Sequence, residues 1–98
     1  MSRYILGPKA SLDMEVLWEN VAAESISSAD RWIARLFETF DALAESPSLG
    51  HKREELTPLP LLFWPVGSYV VIYREQPNEI EIIAIAQDAG ELPTPFSH

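Results

Sequence analysis

Apolar residues recur along the chain first at helical and then at strand spacing. Ala10, Met14, Leu17, Trp18 and Val21 stand three or four residues apart, with Lys9, Asp13, Glu15, Glu19 and Asn20 on the other side, which predicts an amphipathic helix from Lys9 to about Ala23. Pro8 suits its first turn, where a missing N–H costs no hydrogen bond. The short apolar segment Arg3 to Leu6, closed by Gly7-Pro8, reads as a strand. Ser25, Ser27 and Ser28 are candidate N-caps for a second helix. Its apolar stripe is the cleanest in the sequence: Ala29, Trp32, Ile33, Leu36, Phe37, Phe40, Leu43 and Ala44, with Asp30, Arg31, Arg35, Glu38, Asp41 and Glu45 facing out. Pro47 and Gly50 end it. Trp18, Trp32, Phe37 and Phe40, at this spacing, are expected in the core.

The second half changes period. Leu59 to Trp64 is apolar, but Pro58, Pro60 and Pro65 cannot donate ladder hydrogen bonds, so this strand is short, bulged or at an edge. Ser68 to Arg74 carries β-branched and aromatic residues on both faces, as a central strand requires. After a turn at Pro77-Asn78, Glu79 to Ala86 returns as its hairpin partner, alternating at first and apolar at the end. Two helices joined by a few residues pack as an antiparallel hairpin, and each apolar stripe needs a second layer to cover it. The expected fold is therefore α+β in two layers, ordered β-α-α-β-β-β, with the helical hairpin on a small, mainly antiparallel sheet. A single domain spans residues 1–98, with a flexible, linker-like tail over about 92–98.

Composition narrows the function. The 98 residues include seven Lys and Arg against fifteen Asp and Glu, for a net charge of −8, with 47% hydrophobic residues. A chain of this length buries roughly two thirds of its unfolded surface, enough for a core without metal or disulfide. The absence of cysteine excludes disulfide scaffolds, thiolate zinc sites and cysteine nucleophiles. The acidity argues against direct nucleic-acid binding through a broad positive face, since phosphate affinity comes from Lys and Arg displacing condensed counterions. No apolar run approaches the ~18 residues of a membrane span, and the N-terminus is too weakly apolar for a signal peptide. A cytoplasmic location is the expectation.

Motifs along almost the whole chain resemble the ParE/RelE superfamily of toxins, and its ParE branch in particular. Tyr4-Ile5-Leu6-Gly7-Pro8-Lys9-Ala10 followed by Asp13-Met14-Glu15-Val16-Leu17-Trp18 is similar to the family's aromatic-hydrophobic-Pro-x-Ala start and first helix. Ser28-Ala29-Asp30-Arg31 opens the second helix in the family manner, and Leu43 to Gly50 matches its Leu-x-x-x-Pro-x-x-Gly exit. Pro65-Val66-Gly67-Ser68-Tyr69-Val70-Val71-Ile72-Tyr73-Arg74 matches the central strand most specifically, and Ile80-Glu81-Ile82-Ile83 begins the last. The resemblance implies the toxin of a type II toxin–antitoxin system, plasmid-borne in a stabilisation role or chromosomal. Its partner would be a cognate antitoxin, ParD-like or other, bound in a hetero-oligomer. For ParE-like members the implied target is DNA gyrase, held by protein–protein contact; for RelE-like members it is mRNA on the ribosome, cut by an endonuclease. A degenerate member that binds antitoxin without toxicity is a third reading. No cofactor and no metal are implied.

The residues separate these readings in part. RNA cleavage by 2′-hydroxyl attack needs an acid–base pair or strong positive charge around the scissile phosphate. The position that is often basic in nuclease relatives is Leu62 here, and the last-strand basic, His and basic positions stand as Ala84, Gln87 and Gly90, with Asp88 and Glu91 adding acid. No catalytic residue is assigned, and the chain is expected to be non-enzymatic. His51 and His98 read as solvated side chains. Candidates for antitoxin or target binding are Leu59, Leu61, Phe63 and Trp64, in a proline-punctuated segment able to bury only part of its apolar content, with Phe63 and Trp64 capping the core as the other reading. Lys52 and Arg53 are further candidates, although Glu54 and Glu55 beside them favour local neutralisation. Arg74 either pairs with Glu75 or Glu79 or reaches a partner. Arg31 and Arg35 read as an ion-pair face with Asp30 and Glu38.

Overall fold

Gly7 turns the chain from a short strand into the first helix, and Ser25 does the same for the second. The computed structural model describes residues 3–87. Its elements are β1 (Tyr4–Leu6), α1 (Pro8–Ala22), α2 (Ile26–Glu45), a 3-10 turn over Pro47–Leu49, β2 (Leu62–Val66), β3 (Tyr69–Gln76) and β4 (Glu79–Ala86). Pro8 occupies the first turn of α1. Of the three candidate serines, Ser25 is the N-cap of α2: its hydroxyl accepts the Ser28 amide at 3.2 Å. The tail over 92–98 lies outside the described residues.

The four strands form one mixed sheet in the order β1-β4-β3-β2. β3 and β4 are its antiparallel centre, β2 is antiparallel to β3 on one edge, and β1 is parallel to β4 on the other. β2 starts at Leu62 rather than Leu59 and continues through Pro65, which an edge strand tolerates because one row of its backbone groups has no strand partner. β2 and β3 are joined by Gly67-Ser68, with Gly67 at φ +62°. That angle, at the first central position of a two-residue hairpin loop, favours glycine. Space adds a second reason, since a Cβ on Gly67 would stand 2.6 Å from the Trp32 indole.

Both faces of the sheet are covered. The helices pack on one, burying Leu17, Leu36, Phe40 and Leu43 against Val71, Tyr73, Ile80 and Ile82. On the other face Leu61, Phe63, Val70, Ile72 and Ala84 form a smaller cluster with Leu56 packed against it. A register shift between Ile72 and Tyr73, paired with Ala84 and Ile82 respectively, leaves Ile83 as an extra residue in β4. Ile83 and Ala84 therefore both belong to the second cluster, and Ile85 returns to the helix side. This bulge is the physical origin of the apolar run that ends β4.

Two core expectations are corrected. Phe37 is 39% exposed and meets Phe40 edge-on at 5.9 Å and 85°. Trp18 is half-buried, and its Nε1 donates to Asp30 at 2.9 Å, joining the two helices.

Candidate partner-binding surface

The basic side chains divide into two groups. Arg3 pairs with Glu79 at 3.4 Å, Lys9 with Asp13 at 2.9 Å, Arg53 with Glu55, and Arg74 with Glu81 at 2.8 Å. Arg31, Arg35 and Lys52 have no carboxylate partner among the described residues. The ion-pair face expected for Arg31 and Arg35 is thus absent, for two reasons. Asp30 is turned to Trp18, and Arg31 Nη2 donates instead to the Ser28 hydroxyl at 3.1 Å. The Arg35 guanidinium lies 5.1 Å from the Trp32 ring centroid, a cation–π arrangement.

Trp32 is held in place from its other edge. Tyr69, the first residue of β3, meets it nearly perpendicular at 5.0 Å, and the Gly67 turn passes beneath it. Ser28, Arg31, Trp32 and Arg35 line a depression of about 340 Å³ on the exposed side of α2. A second depression shares Ser28 with it and continues past Tyr69 to Asn20. A third shares Asn20 and Tyr69 and ends among Leu12, Val16 and Ile85. Leu12 and Val16 are 58% and 46% exposed, an i,i+4 apolar pair outside the stripe that α1 buries. Together they make a furrow across the helical hairpin, with Leu12 and Val16 at one end, Arg31 and Arg35 at the other, and the carboxylate residues Asp13 and Glu24 also among its lining. Sequence reasoning missed it. The available signal was Leu12 and Val16, which the apolar stripe of α1 did not use.

The candidates named from sequence are scattered. Leu61 and Phe63 are 4% and 3% exposed, so neither offers apolar surface in the isolated chain. They face the second cluster because residues 51–61 fold over that side of the sheet. Trp64 is half-buried on the helix side and stacks on His51 at 6.5 Å. Leu59, 40% exposed, remains accessible. Exposed His51 also covers the β2 edge, exchanging backbone hydrogen bonds of 2.9 and 2.8 Å with Phe63. Arg53 holds the Glu55 carboxyl below its ordinary range by hydrogen bonding to it. The partner of Arg74 is Glu81, directly opposite on β4, rather than Glu75 or Glu79, and Arg74 Nε donates to it at 2.9 Å.

The nuclease-type positions are apolar or polar without charge. Leu62 packs on the helix side, Ala84 is fully buried on the opposite face, and Gln87 is exposed beyond β4. Gly90 lies outside the described residues. Tyr73 is fully buried, its hydroxyl bonded to Pro47 and Gly50 and its acidity weakened mainly by burial. No group of three acidic or histidine side chains able to hold a metal occurs among the described residues. No described helix is long and apolar enough to cross a membrane.

This arrangement of two helices on a four-stranded mixed sheet defines a class of small α+β protein with solved examples. One, described as the chromosomal ParDE TA system from P. aeruginosa, matches at TM-score 0.75 over 90% of this chain and 97% of that one, with 18% identity. At that identity the likeness speaks for the fold. No curated protein matches the chain. The family model of the ParE toxin of the type II toxin-antitoxin system, parDE, matches residues 4–90. The chain belongs to that family and is a ParE-type toxin of a type II toxin–antitoxin system.

Proposed function

We propose that this toxin acts in the cytoplasm without enzymatic chemistry, by protein–protein contact with DNA gyrase, and that a cognate antitoxin neutralises it in a hetero-oligomer. The observation that carries this reading is the character of the sheet. Of the positions where nuclease relatives place cations, Leu62 is half-buried against the helix-side core and Ala84 is fully buried on the other face. The exposed sheet cation, Arg74, is neutralised by Glu81. A transition state that gathers negative charge on phosphate oxygens would find no unpaired cation on this sheet among the described residues. The family match supports the toxin role, and the exposed furrow supports action through a polypeptide partner.

Expression of the chain in a bacterium, alone and with its antitoxin, tests the proposal. Growth arrest with DNA-damage signalling and intact mRNA, relieved by the antitoxin, is expected. Rapid codon-specific mRNA cleavage would overturn it in favour of a ribosome-dependent endonuclease. Healthy growth at confirmed soluble expression would instead identify a member that binds antitoxin but poisons nothing.

A further inference from the structure

The far face of the sheet carries no helix among the described residues, and its cover is the chain between α2 and β2. That segment leaves the core where the Gly50 amide donates to the Tyr73 hydroxyl, and it returns where Leu62 pairs with Tyr73 in the sheet. Both ends of residues 51–61 are thus held on one residue, the arrangement of a compact Ω-type loop. Between those ends the segment bonds to itself. The Arg53 carbonyl accepts the amides of Leu56 and Thr57 at 2.8 and 3.1 Å, the Thr57 hydroxyl accepts the Leu59 amide at 3.2 Å, and the Leu59 carbonyl accepts the Leu61 amide at 2.8 Å. Arg53 and Glu55 pair within it, Lys52 and Glu54 are exposed, and Pro58 and Pro60 have no amide to give.

Its hold on the sheet is of two kinds. Leu56 and Leu61 pack with Phe63, Val70, Ile72 and Ala84, and His51 exchanges two backbone hydrogen bonds with Phe63. Among the described residues no ion pair and no further hydrogen bond joins residues 52–60 to the sheet or the helices. The His51 bonds fall on the outer side of β2. Backbone groups of a strand face alternate sides, so that outer row is Phe63 and Pro65, and Pro65 has no amide.

We propose that residues 51–60 form a strap that lifts from the sheet as a unit while the rest of the fold stays intact, gating an apolar face and a strand edge that are hidden when it is closed. Lifting breaks the two His51–Phe63 bonds and the Leu56 contact, and it leaves the bonds inside the strap in place. The two anchors on Tyr73 keep the loop ends together, so reclosing costs little chain entropy. The helix-side core lies on the opposite face and keeps its packing, which allows the strap to open below the free energy of global unfolding. Lifting bares the Phe63 amide and carbonyl beside the side chains of Phe63, Val70 and Ile72, each 7% exposed or less when the strap is closed. Closed, the strap hides an edge of the kind that recruits a second strand.

Amide hydrogen exchange of the full chain, followed by NMR at urea concentrations too low to unfold it, tests the proposal. The His51 and Phe63 amides are expected to share one protection factor, lower than those of Val71 in β3 and Phe40 in α2. Their urea dependence should also be weaker, because strap opening exposes less surface than unfolding. Ile82→Val, on the helix side, should quicken exchange at Val71 and Phe40 several-fold and leave His51 and Phe63 unchanged. Leu56→Ala should quicken His51 and Phe63 together by about tenfold. Exchange of these two amides with the protection and urea dependence of Val71 would overturn the proposal, as would their quickening in Ile82→Val, since the cover would then leave only when the whole fold does. Unequal protection at His51 and Phe63, or no response of either to Leu56→Ala, would also overturn it. None of these readouts depends on toxicity.

Discussion

The hydroxyl of Tyr73, in the centre of the sheet, accepts a 2.8 Å hydrogen bond from the amide of Gly50, beyond the end of α2. The same hydroxyl donates to the Pro47 carbonyl at 2.6 Å. One buried phenol thereby satisfies a donor and an acceptor left over where the helix stops, and fixes where the chain leaves the helical layer. Gly50 is needed there for space rather than for its backbone angle: at φ −71° any residue is allowed, but a Cβ would collide with the Tyr73 phenol.

Tyr73→Phe keeps the ring and removes the hydroxyl, leaving the Gly50 N–H and the Pro47 carbonyl without this partner. The expected loss is about 1–3 kcal/mol of stability, read as a lower urea midpoint with an unchanged m-value. Toxin activity should persist wherever the variant is folded.

Burial also makes the phenol of Tyr73 a weaker acid than an ordinary tyrosine, with the nearby Glu75 carboxylate adding to the effect and the Gly50 hydrogen bond opposing it. Tyr4 is shifted in the same direction, by burial first and by Asp41 second. The folded chain then keeps these protons at a pH where the unfolded chain has lost them. Stability from this source is complete below about pH 10 and declines as pH rises from there through the folded-state value. Denaturant midpoints between about pH 9 and about pH 11 should fall in the native chain. In Tyr73→Phe the fall should be shallower, and an equally steep decline would refute the assignment.

Asp13 is the polar residue of α1 that serves the sheet. β1 ends at Leu6, so β4 beyond Ile82 has no strand on that side, and the Asp13 carboxylate accepts the Ile85 amide at 3.0 Å in its place. Its other oxygen pairs with Lys9 at 2.9 Å. Asp13→Ala should cost about 1–2 kcal/mol by leaving that amide without a partner. Lys9→Ala, which removes only an exposed i,i+4 pair, should cost about 0.5 kcal/mol or less. Hydrogen exchange at Ile85 distinguishes the two, quickening in the first variant only.

Arg74→Ala removes a cross-strand ion pair whose arginine is half exposed, and stability should fall by less than about 1 kcal/mol. A change in toxicity or antitoxin affinity beyond that would give Arg74 a role at the partner interface. Unchanged values for both would leave it as a structural ion-pair residue.

The order of elements was legible in the sequence because each is written locally. The three-and-four spacing from Ala10 to Val21 and from Ala29 to Ala44 gave both helices, and Pro8 and the cluster of Ser25, Ser27 and Ser28 marked their starts. The two-faced apolar pattern from Ser68 to Arg74 gave a central strand, and the prolines around Leu62 one that is short, bulged or at an edge, which the sheet order resolves as an edge. Periodicity, however, reports only which side of an element is apolar, and burial depends on what a distant segment places over it. Leu61 and Phe63 looked available, but residues 51–61 cover the far face of the sheet, while Leu12 and Val16, outside the α1 stripe, and Phe37, expected in the core, are exposed. Charge behaves in the same way. Neighbours in sequence suggested partners for Arg31, Arg35 and Arg74, but packing decided them, by turning Asp30 to Trp18, setting Trp32 against Tyr69 and Gly67, and placing Glu81 opposite Arg74. The sequence by itself determined the elements and the lack of nuclease-type cations at Leu62 and Ala84. Only the tertiary structure decided which apolar and cationic groups remain at the surface, because exposure is a property of how separate segments meet.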